Sequence, residues 1–520
     1  MLIFLLTALF PFIVFSPYIA GLLVQTPGMT FTGVVHYPLD YYYYLSYMAQ
    51  GKTRWLTAFY INTTEAKTPI FYHWFYVLSG RIFSTLGISN SIGYQLLILG
   101  LSVLLCVVSY RLICEVIPSR AGRTIAYILF LTSNAWPYLS HTSNGWALQP
   151  YWFWYNYGEP FIRFSSIPHH LLAQSVLVVI LLLLVRVPRI PQSRYLCTWS
   201  LFFVSGFLLA STQTPQVPVV LLVCGIFWVK DIIVSRKSDM FPALILLLAG
   251  AVPYALYLRL LFQNQPFTMI AAWEATQQVR ITLLQFFRMN GPVMLLGVIG
   301  LPLFLSKRLR AREIIAVCTL VSWGIFLSPV PIYISVLNVR FLSVVPTLVM
   351  ACSSAVLIEA IATRFGSRLQ VPVRMGITVI LLALTIPATA AQVISRTIFN
   401  PGNAYIFLPN EVLAAYVQVE KYISPQETCL VIWPFHESFT GLTGRRAYTV
   451  NEYATVGYTA KETQANAFFA GQMNHDQQMK FFTSNNISCV VTYSFTKNVP
   501  AALIPAYTNS YMTVYKVTKE

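Results

Sequence analysis

The chain has 520 residues, of which 56% are hydrophobic and only 10% are charged, and its mean hydropathy is +0.62. Soluble domains carry about 25% charged residues, so this composition excludes a soluble protein and indicates an integral membrane protein. The formal net charge of +17 comes largely from basic loops next to membrane spans. We therefore predict no nucleic-acid partner, because such a partner needs the charge gathered on one solvated face.

Apolar stretches long enough to cross a hydrocarbon core of about 30 Å predict about eleven membrane-spanning helices. The first, from Leu2 to Leu23, lacks the basic region and the small-residue cleavage site of a signal peptide, so we predict that it is a retained helix. The other ten are predicted at Ile92–Ile113, Thr124–Tyr138, Leu171–Val185, Leu196–Leu209, Val217–Val229, Phe241–Leu261, Val293–Leu305, Ile314–Leu327, Phe341–Ile361 and Met375–Ile394.

Basic residues cluster in alternate loops, and cytoplasmic loops are the ones that retain Lys and Arg. We therefore predict a multi-pass plasma (inner) membrane protein whose first long loop, residues 24–90, and C-terminal region lie on the extracytoplasmic side. The predicted cytoplasmic clusters are Arg120 and Arg123; Arg186, Arg189 and Arg194; Lys230, Arg236 and Lys237; Lys307, Arg308, Arg310 and Arg312; and Arg364, Arg368 and Arg374.

The first outside loop contains two aromatic amphipathic segments, Tyr41–Met48 and Pro69–Ile82, which are typical of helices that lie in the headgroup plane. Asp40 opens the first segment. It is either the N-cap of a helix or a reactive carboxylate among aromatic rings. The tyrosine run after it is either an interfacial aromatic belt or a platform for a sugar. Glu65 lies between the two segments and is either functional or simply solvated.

A second outside loop, roughly residues 139–170, carries Glu159 and Arg163 and ends at His169 and His170. Adjacent residues point to different faces of a helix, so at most one of the two histidines can face a site. Arg340 precedes a late span on the same predicted side. It either acts on a ligand or anchors the end of the span against lipid headgroups.

The composition changes near Thr397 to that of a soluble domain, which predicts a membrane domain over residues 1–396 and an extracytoplasmic small α/β domain over residues 397–520. The polar stretch from His436 to Arg446 is predicted as a loop after a strand, either a ligand site or an ordinary solvated loop. Cys429 and Cys489 are either buried free thiols or a disulfide. Predicted elements are helices Pro409–Ser424 and Lys461–Asn485 and strands Thr428–Trp433, Ile487–Tyr493 and Tyr511–Val517.

Several short motifs resemble those of the GT-C superfamily of polytopic glycosyltransferases, most closely a little-characterised bacterial set within it. In this sequence they are Asp40 followed by Tyr-Leu and Gln-Gly; Glu65 before an aromatic juxtamembrane helix; Glu159-Pro160-Phe161; Pro168-His169-His170; Asn338-Val339-Arg340-Phe341; Gly444-Arg445-Arg446-Ala447-Tyr448; and Thr455-Val456-Gly457-Tyr458-Thr459-Ala460-Lys461. Two features depart from the pattern. Four tyrosines follow Asp40 where many members have a second acid, and Gln213-Thr214-Pro215 stands where relatives have His-Pro.

The resemblance implies an α-helical polytopic enzyme that moves a sugar from a polyprenyl-phosphate donor in the membrane lipid to a glycan, lipid or protein acceptor, with inversion. Asp40 would be the general base. Arg340, and second to it Arg163, would stabilise the departing lipid phosphate. Glu65, Glu159 and His169 would hold sugar or acceptor hydroxyls. No cofactor is predicted, and the missing second acid gives little support to a divalent cation.

The main alternative is a flippase or secondary transporter of a lipid-linked saccharide. Such a carrier needs charged groups at mid-membrane and broken helices in matching halves. The predicted spans are nearly free of internal charge, and the polar residues gather at one face. We therefore favour the enzyme over the carrier, and also over a third alternative, a non-catalytic scaffold that displays the outer domain.

Overall fold

The computed structural model describes residues 2–142, 145–150, 157–187, 195–235, 238, 240–494 and 502–518. Part of the second outside loop, residues 151–156, lies outside the described residues. So do four members of the predicted cytoplasmic clusters, namely Arg189, Arg194, Arg236 and Lys237. By contacts along the chain the protein divides into two compact units.

The first unit, here called the helical unit, comprises Met1–Ser16, Leu97–Arg259 and Glu274–Arg396. The second, the mixed unit, comprises Pro17–Leu96, Leu260–Trp273 and Thr397–Glu520. The chain passes from the helical unit to the mixed unit for the last time at Thr397, near which the amino-acid composition also changes. The first long loop groups with the C-terminal residues rather than with the helices that follow it.

Nine helices in the described part of the chain are long and apolar enough to cross a membrane, which confirms a multi-pass membrane protein. Every predicted span overlaps a helix, but two of these helices are not among the nine. Arg120–Thr132 has only 13 residues, about 20 Å of helix, and Pro137 begins a strand where the prediction continued the span. The second, Arg310–Leu327, carries Arg310, Arg312 and Glu313 in its first turn.

The helices of the chain have the following bounds: Leu2–Leu23, Pro38–Gln50, Trp74–Thr85, Asn90–Val116, Arg120–Thr132, Pro160–Phe164, Pro168–Arg186, Tyr195–Gln213, Gln216–Ser235, Met240–Leu261, Phe267–Thr276, Leu283–Ser306, Arg310–Leu327, Val330–Tyr333, Val345–Thr363, Gly366–Thr397, Asn410–Tyr422, His436–Thr443, Tyr458–Phe469 and His475–Ser484. A 3-10 helix covers Asn338–Phe341. Strands outside the main sheet form three antiparallel pairs, Met29–Phe31 with Phe407–Pro409, Ala58–Phe59 with Pro69–Ile70, and Pro137–Thr142 with Gly145–Pro150.

Close packing of small residues holds the helical unit together. Helix Leu283–Ser306 lies against helix Val345–Thr363, and a side chain on Gly297 or Gly300 would overlap the backbone of Met350 or Ser353. Helices within membranes associate through such small residues, because lipid supplies no hydrophobic driving force between helices.

A five-stranded sheet forms the centre of the mixed unit. The antiparallel strands Leu503–Thr508, Met512–Val517 and Ile487–Tyr493 are followed by two strands, Thr428–Val431 and Arg446–Ala447, that extend the sheet in parallel. Alternate residues point to opposite faces of a sheet. Cys429 and Val491 accordingly belong to one hydrophobic core, and Leu430 and Val490 to the other. This arrangement confirms the predicted small α/β fold.

Three details of the mixed unit differ from the prediction. The single helix predicted over Lys461–Asn485 is two helices, because Gly471 has a positive φ of 69° and Asn474 starts a new helix with a capping box. The predicted loop after Thr428–Val431 is helix His436–Thr443, which ends at Gly444 with φ of 64°. Strand Leu503–Thr508 was not predicted.

Cys429 and Cys489 are buried free thiols at paired positions of two parallel strands. The free-thiol alternative therefore describes this structure.

The aromatic segment after Asp40 is helix Pro38–Gln50. Tyr41, Tyr42 and Tyr44 of the tyrosine run are buried, so the interpretation of the run as an exposed aromatic belt is wrong for these three of its four residues, while Tyr43 is only partly buried. The N-cap of the helix is Tyr37. Asp40 lies in the first turn, so the N-cap interpretation of Asp40 is also wrong.

Helix Pro38–Gln50 packs so closely on helix Trp74–Thr85 that Gly80 has no room for a side chain. A Cβ added there would overlap the backbone carbonyl of Met48. We predict that Gly80→Ala lowers the midpoint of heat-induced unfolding in detergent, with a destabilisation of about 1–3 kcal/mol. Gly100→Ala is the matched control, because no atom lies within 4 Å of its added Cβ. Equal midpoints for the two variants would contradict the packing.

Candidate functional site

Asp40 lies in the first turn of helix Pro38–Gln50 and is half-buried. The positive end of a helix dipole favours a negative charge at this position. Burial, together with the negative charges of Asp40 and Glu437, raises the pKa of Tyr453. Asp40 is thus an acid at a helix N-terminus, within electrostatic reach of a phenol from the C-terminal part of the mixed unit.

Glu65 forms an ion pair with Lys461. The Lys461 Nζ lies 2.7 Å from the Glu65 Oε1, and it also donates a hydrogen bond of 2.8 Å to the hydroxyl of Thr64. The Thr63 hydroxyl donates to the same carboxylate. Burial alone would raise the pKa of Glu65, but the hydrogen bonds from Lys461 and Thr63 outweigh it and lower that pKa. The carboxylate is therefore held in its charged form.

Two sequence motifs supply the residues that hold the segment around Glu65. Arg446 donates to the carbonyl of Ala66 over 2.6 Å, and the hydroxyl of Thr455 donates to the carbonyl of Asn62 over 2.8 Å. The Gly-Arg-Arg-x-Tyr and Thr-x-x-Tyr-x-x-Lys motifs therefore share a structural task. With Lys461 they form a clasp, here defined as Arg446, Thr455, Lys461 and Glu65, which fixes residues 62–66.

Arg340 is the centre of a polar cluster in the helical unit. Its Nη2 donates to the Glu274 carboxylate over 2.6 Å, and its Nη1 lies 3.2 Å from the His170 Nε2. The side chains of Arg340 and Glu274 remain 19% and 28% exposed. A guanidinium that is paired but still accessible can exchange one anion for another.

The backbone around Arg340 is fixed by amide side chains. Asn338 Nδ2 donates to the carbonyl of Val279 over 2.8 Å, and its Oδ1 accepts from the backbone N–H of the same residue over 3.0 Å. Gln216 Nε2 donates to the carbonyls of Arg340 and Leu342 over 2.7 and 2.8 Å. The Asn-x-Arg-Phe motif thus combines an anchor, Asn338, with the side chain that the anchor positions.

His170, rather than the predicted His169, contacts Arg340. The two imidazole rings pack edge to face with centroids 4.3 Å apart, and both residues are buried. His170 was not among the predicted site residues, and the proposed role of His169 in holding sugar or acceptor hydroxyls stays a prediction.

Arg163 and Glu159 have architectural contacts. Arg163 is fully buried, and its guanidinium donates to the hydroxyl and the carbonyl of Ser133 over 3.0 and 2.8 Å and to the carbonyl of Tyr157 over 3.0 Å. Glu159 is buried and paired with Arg396 over 2.9 Å. The guanidinium donors of Arg163 are already used inside the protein, and the buried Glu159 carboxylate already accepts from Arg396, so we leave both residues out of the proposed substrate site.

Three residues of the Arg340 cluster were not among the predicted site residues, namely His170, Glu274 and Gln216. Gln216 had a sequence signal, because amides are rare between two apolar stretches and it lies just after Gln213-Thr214-Pro215. Glu274 lies on the short helix Phe267–Thr276, and nothing in its local sequence relates it to Arg340. That contact joins residues 66 positions apart.

Among the described residues, no cluster of side chains suits a divalent cation. Such cations prefer several carboxylate or carbonyl oxygens. Within the described ranges, no group of three or more His, Cys, Asp or Glu residues is placed to hold a metal ion. No step of the chemistry proposed below passes through a metal.

The chain resembles solved structures of membrane glycosyltransferases. ArnT from Cupriavidus metallidurans, bound to undecaprenyl phosphate, matches with a TM-score of 0.51 and 12% identity over 98% of this chain and 97% of that one. The archaeal oligosaccharyltransferase AglB from Archaeoglobus fulgidus, in complex with an inhibitory peptide and a dolichol-phosphate, matches with a TM-score of 0.50 and 12% identity over 94% of this chain and 70% of that one.

A mycobacterial arabinofuranosyltransferase, AftD, also matches with a TM-score of 0.51 and 15% identity. The match covers 99% of this chain but only 41% of AftD, so the chain spans less than half of that protein. No protein-family model and no curated protein matches the sequence. At these identities the likeness shows a shared fold.

The clasp around Glu65 leads to a prediction about stability and pH. We expect Glu65→Gln to destabilise the protein by about 1 kcal/mol, since the pair is partly exposed. The folded-state pKa of Glu65 is lowered, so the stabilisation is complete above the unfolded pKa, near 4.5, and is lost as pH falls through the lower folded pKa. The unfolding midpoints of parent and variant should differ at pH 6–8 and converge under strongly acidic conditions.

Lys461→Met is the companion variant for the same measurement. If Glu65 and Lys461 stabilise the protein through each other, the double variant should be less destabilised than the sum of the single variants. Additive effects at neutral pH would contradict the clasp.

Proposed function

We propose, on the premise that the chain has the fold of the GT-C glycosyltransferases, that it transfers a sugar from a polyprenyl-phosphate donor to an acceptor hydroxyl at the extracytoplasmic membrane face. The observation that carries the proposal is the end-to-end match to ArnT, whose solved structure contains undecaprenyl phosphate. The alternation of basic loops supports the orientation. The protein would then be a resident of the plasma (inner) membrane.

Asp40 is proposed as the general base. The acceptor hydroxyl must lose a proton as its oxygen attacks the anomeric carbon, and a carboxylate is a suitable proton acceptor. The location of Asp40 in the first turn of helix Pro38–Gln50 favours the ionised form that a base requires. The new C–O bond forms as the bond to the lipid phosphate breaks, so direct displacement inverts the anomeric centre.

Arg340 is proposed to bind the phosphate of the donor and of the departing lipid. A guanidinium donates two parallel hydrogen bonds to phosphate oxygens, and it stabilises the negative charge that develops on departure. The partial exposure of Arg340 and the fixed backbone beneath it support this role. Glu65, whose carboxylate pairs with Lys461, is proposed to position the first loop rather than to take part in proton transfer.

The role of Asp40 can be tested without knowledge of the acceptor, because hydrolysis and transfer both release the lipid phosphate. We expect Asp40→Asn to lower the release of undecaprenyl phosphate from a panel of undecaprenyl-phosphate sugars by about 10²–10⁴-fold, the usual contribution of a general base. Asp476→Asn is the matched control, since Asp476 also lies in the first turn of a helix and has no proposed role.

The measurement should use nanodiscs, with unfolding midpoints for each variant. Asp40→Asn with parental turnover would remove Asp40 from the mechanism. A parent that binds the lipids, releases no undecaprenyl phosphate, and moves labelled lipid-linked sugar across proteoliposome membranes would establish a carrier instead of an enzyme.

The role of Arg340 predicts a selective loss of affinity for the lipid phosphate. We expect Arg340→Gln to weaken the binding of undecaprenyl phosphate by about 30-fold, which corresponds to the loss of about 2 kcal/mol from hydrogen bonds to a charged group. Microscale thermophoresis in nanodiscs would measure it. Arg288→Gln is the control, because Arg288 is exposed and has no proposed role. Equal affinities of the two variants would contradict the assignment.

A further inference from the structure

Glu437 is a buried acid that the proposed chemistry does not yet use. It is the second residue of helix His436–Thr443, and its side chain is only 4% exposed. Its Oε2 is paired with the His436 Nε2 over 2.8 Å. A carboxylate can accept about four hydrogen bonds, so this single partner leaves acceptor capacity for hydrogen-bond donors of a ligand, and a buried acid with so few partners calls for an explanation.

The packing of two helices places Glu437 at the same end as Asp40. Gly441 lies against Tyr42, and Gly444 lies against Ala49, in each case so closely that an added Cβ would come within 3.0 Å. The earlier contact residue of one helix meets the earlier one of the other, and the later meets the later, so the two helices run in the same direction. The first turns of helices Pro38–Gln50 and His436–Thr443 therefore lie at the same end of the pair. Asp40 and Glu437 belong to those two first turns.

Two tyrosines interact electrostatically with these acids, and the backbone carbonyl of one of them, Tyr405, accepts a hydrogen bond of 2.9 Å from the Tyr42 hydroxyl of helix Pro38–Gln50. Burial and the charge of Glu437 raise the pKa of Tyr405. Burial, and to a smaller extent the charges of Asp40 and Glu437, raise the pKa of Tyr453. Both rings are only partly buried, and Tyr453 stacks on Trp273 with centroids 5.0 Å apart. Trp433, four positions before Glu437, is 65% exposed.

These groups match the surface chemistry of a saccharide. Sugar hydroxyls donate hydrogen bonds, and a carboxylate is a strong acceptor for them. Sugar C–H faces are apolar and pack on aromatic rings, which offer large, rigid contact areas. An exposed indole, partly exposed phenols and a buried acceptor oxygen therefore suit a ligand that is rich in hydroxyls and carries no charge of its own.

We infer that Glu437, Tyr405, Tyr453 and Trp433 form a subsite for a saccharide acceptor. Glu437 accepts hydrogen bonds from acceptor hydroxyls that do not react, and Asp40 takes the proton from the one that does. The inference rests on the proposed function, because it assigns the acceptor of that reaction to the class of saccharides. Glu437 binds and orients the acceptor, and no bond to carbon forms or breaks at its carboxylate.

The test is saturation-transfer difference NMR of the full-length protein in nanodiscs with a panel of α- and β-linked glucose, galactose and mannose disaccharides. We expect the parent to give a saturable signal with at least one of them. Glu437→Gln should weaken that binding at least tenfold. Trp433→Ala, which changes an exposed side chain and leaves the core intact, should also weaken it.

Glu452→Gln is the matched control. Glu452 is an exposed acid whose charge also raises the pKa of Tyr453, after burial and the charges of Asp40 and Glu437, and its substitution should leave disaccharide binding unchanged. The inference is overturned if no disaccharide binds to the parent. It is also overturned if folded Glu437→Gln binds as tightly as the parent, or, should that variant not fold, if Trp433→Ala binds as tightly as the parent.

Failure of the proposed function would look different. A parent that binds disaccharides through Glu437 but releases no undecaprenyl phosphate from any donor would support the saccharide subsite and overturn the transfer reaction. A parent that releases undecaprenyl phosphate but binds no disaccharide would support the transfer reaction and overturn the subsite.

Discussion

The mixed unit depends on the close enclosure of helix Pro38–Gln50. Helix Trp74–Thr85 approaches through Gly80, and helix His436–Thr443 approaches through Gly441, each without room for a Cβ. Close-packed interiors transmit small changes in volume to their neighbours. The position of Asp40 in the first turn therefore depends on residues about 40 and 400 positions away along the chain.

A second constraint operates in the helical unit, where a charged side chain must be presented from an irregular segment. Buried backbone that is outside α-helices and sheets needs other partners for its polar groups. Gln216, Asn338 and Gln278 supply those partners. Asn338 both donates to and accepts from the backbone of Val279. Gln278 donates to the carbonyl of Val336 and accepts from the backbone N–H of Asn338. Amide side chains suit this task because one group both donates and accepts. The guanidinium of Arg340 therefore projects from a fixed base.

The sequence predicted the features that depend on composition and on local pattern. Apolar stretches located the helices, and strand Ile487–Tyr493 matched its prediction residue for residue. Features set by contacts between distant residues were missed. The tyrosine run is amphipathic enough for an interface, but three of its four members are buried by distant residues: Tyr41 packs on Tyr94, Tyr42 on Gly441 and Tyr44 on Tyr76. The helix predicted over Lys461–Asn485 had the right periodicity, and only the local conformation of Gly471 and Asn474 divides it.

The prediction of site residues was limited in the same way, because contacts between distant residues could not be predicted. Motif resemblance selected Glu65 and Arg340, and the structure supplies the partners, Lys461 for the first and Glu274 with His170 for the second. Helical periodicity predicts that His169 and His170 lie on different faces of a helix, but it does not predict which of the two contacts Arg340. That choice depends on the rotation of helix Pro168–Arg186 about its axis, and the rotation is set by tertiary contacts such as the bond from the backbone N–H of Val344 to Gln174.

The ion pair between Arg340 and Glu274 bears on how a phosphate could enter the proposed site. Breaking an ion pair whose side chains are only 19% and 28% exposed costs more than breaking a surface pair, but a phosphate gives the guanidinium two parallel hydrogen bonds in return. Exchange of Glu274 for a lipid phosphate would therefore be favourable, and the released carboxylate, already 28% exposed, could be solvated by water. Until the lipid arrives, Glu274 keeps Arg340 oriented and partnered. A partly accessible pair suits a group that must bind and release an anion in every catalytic cycle.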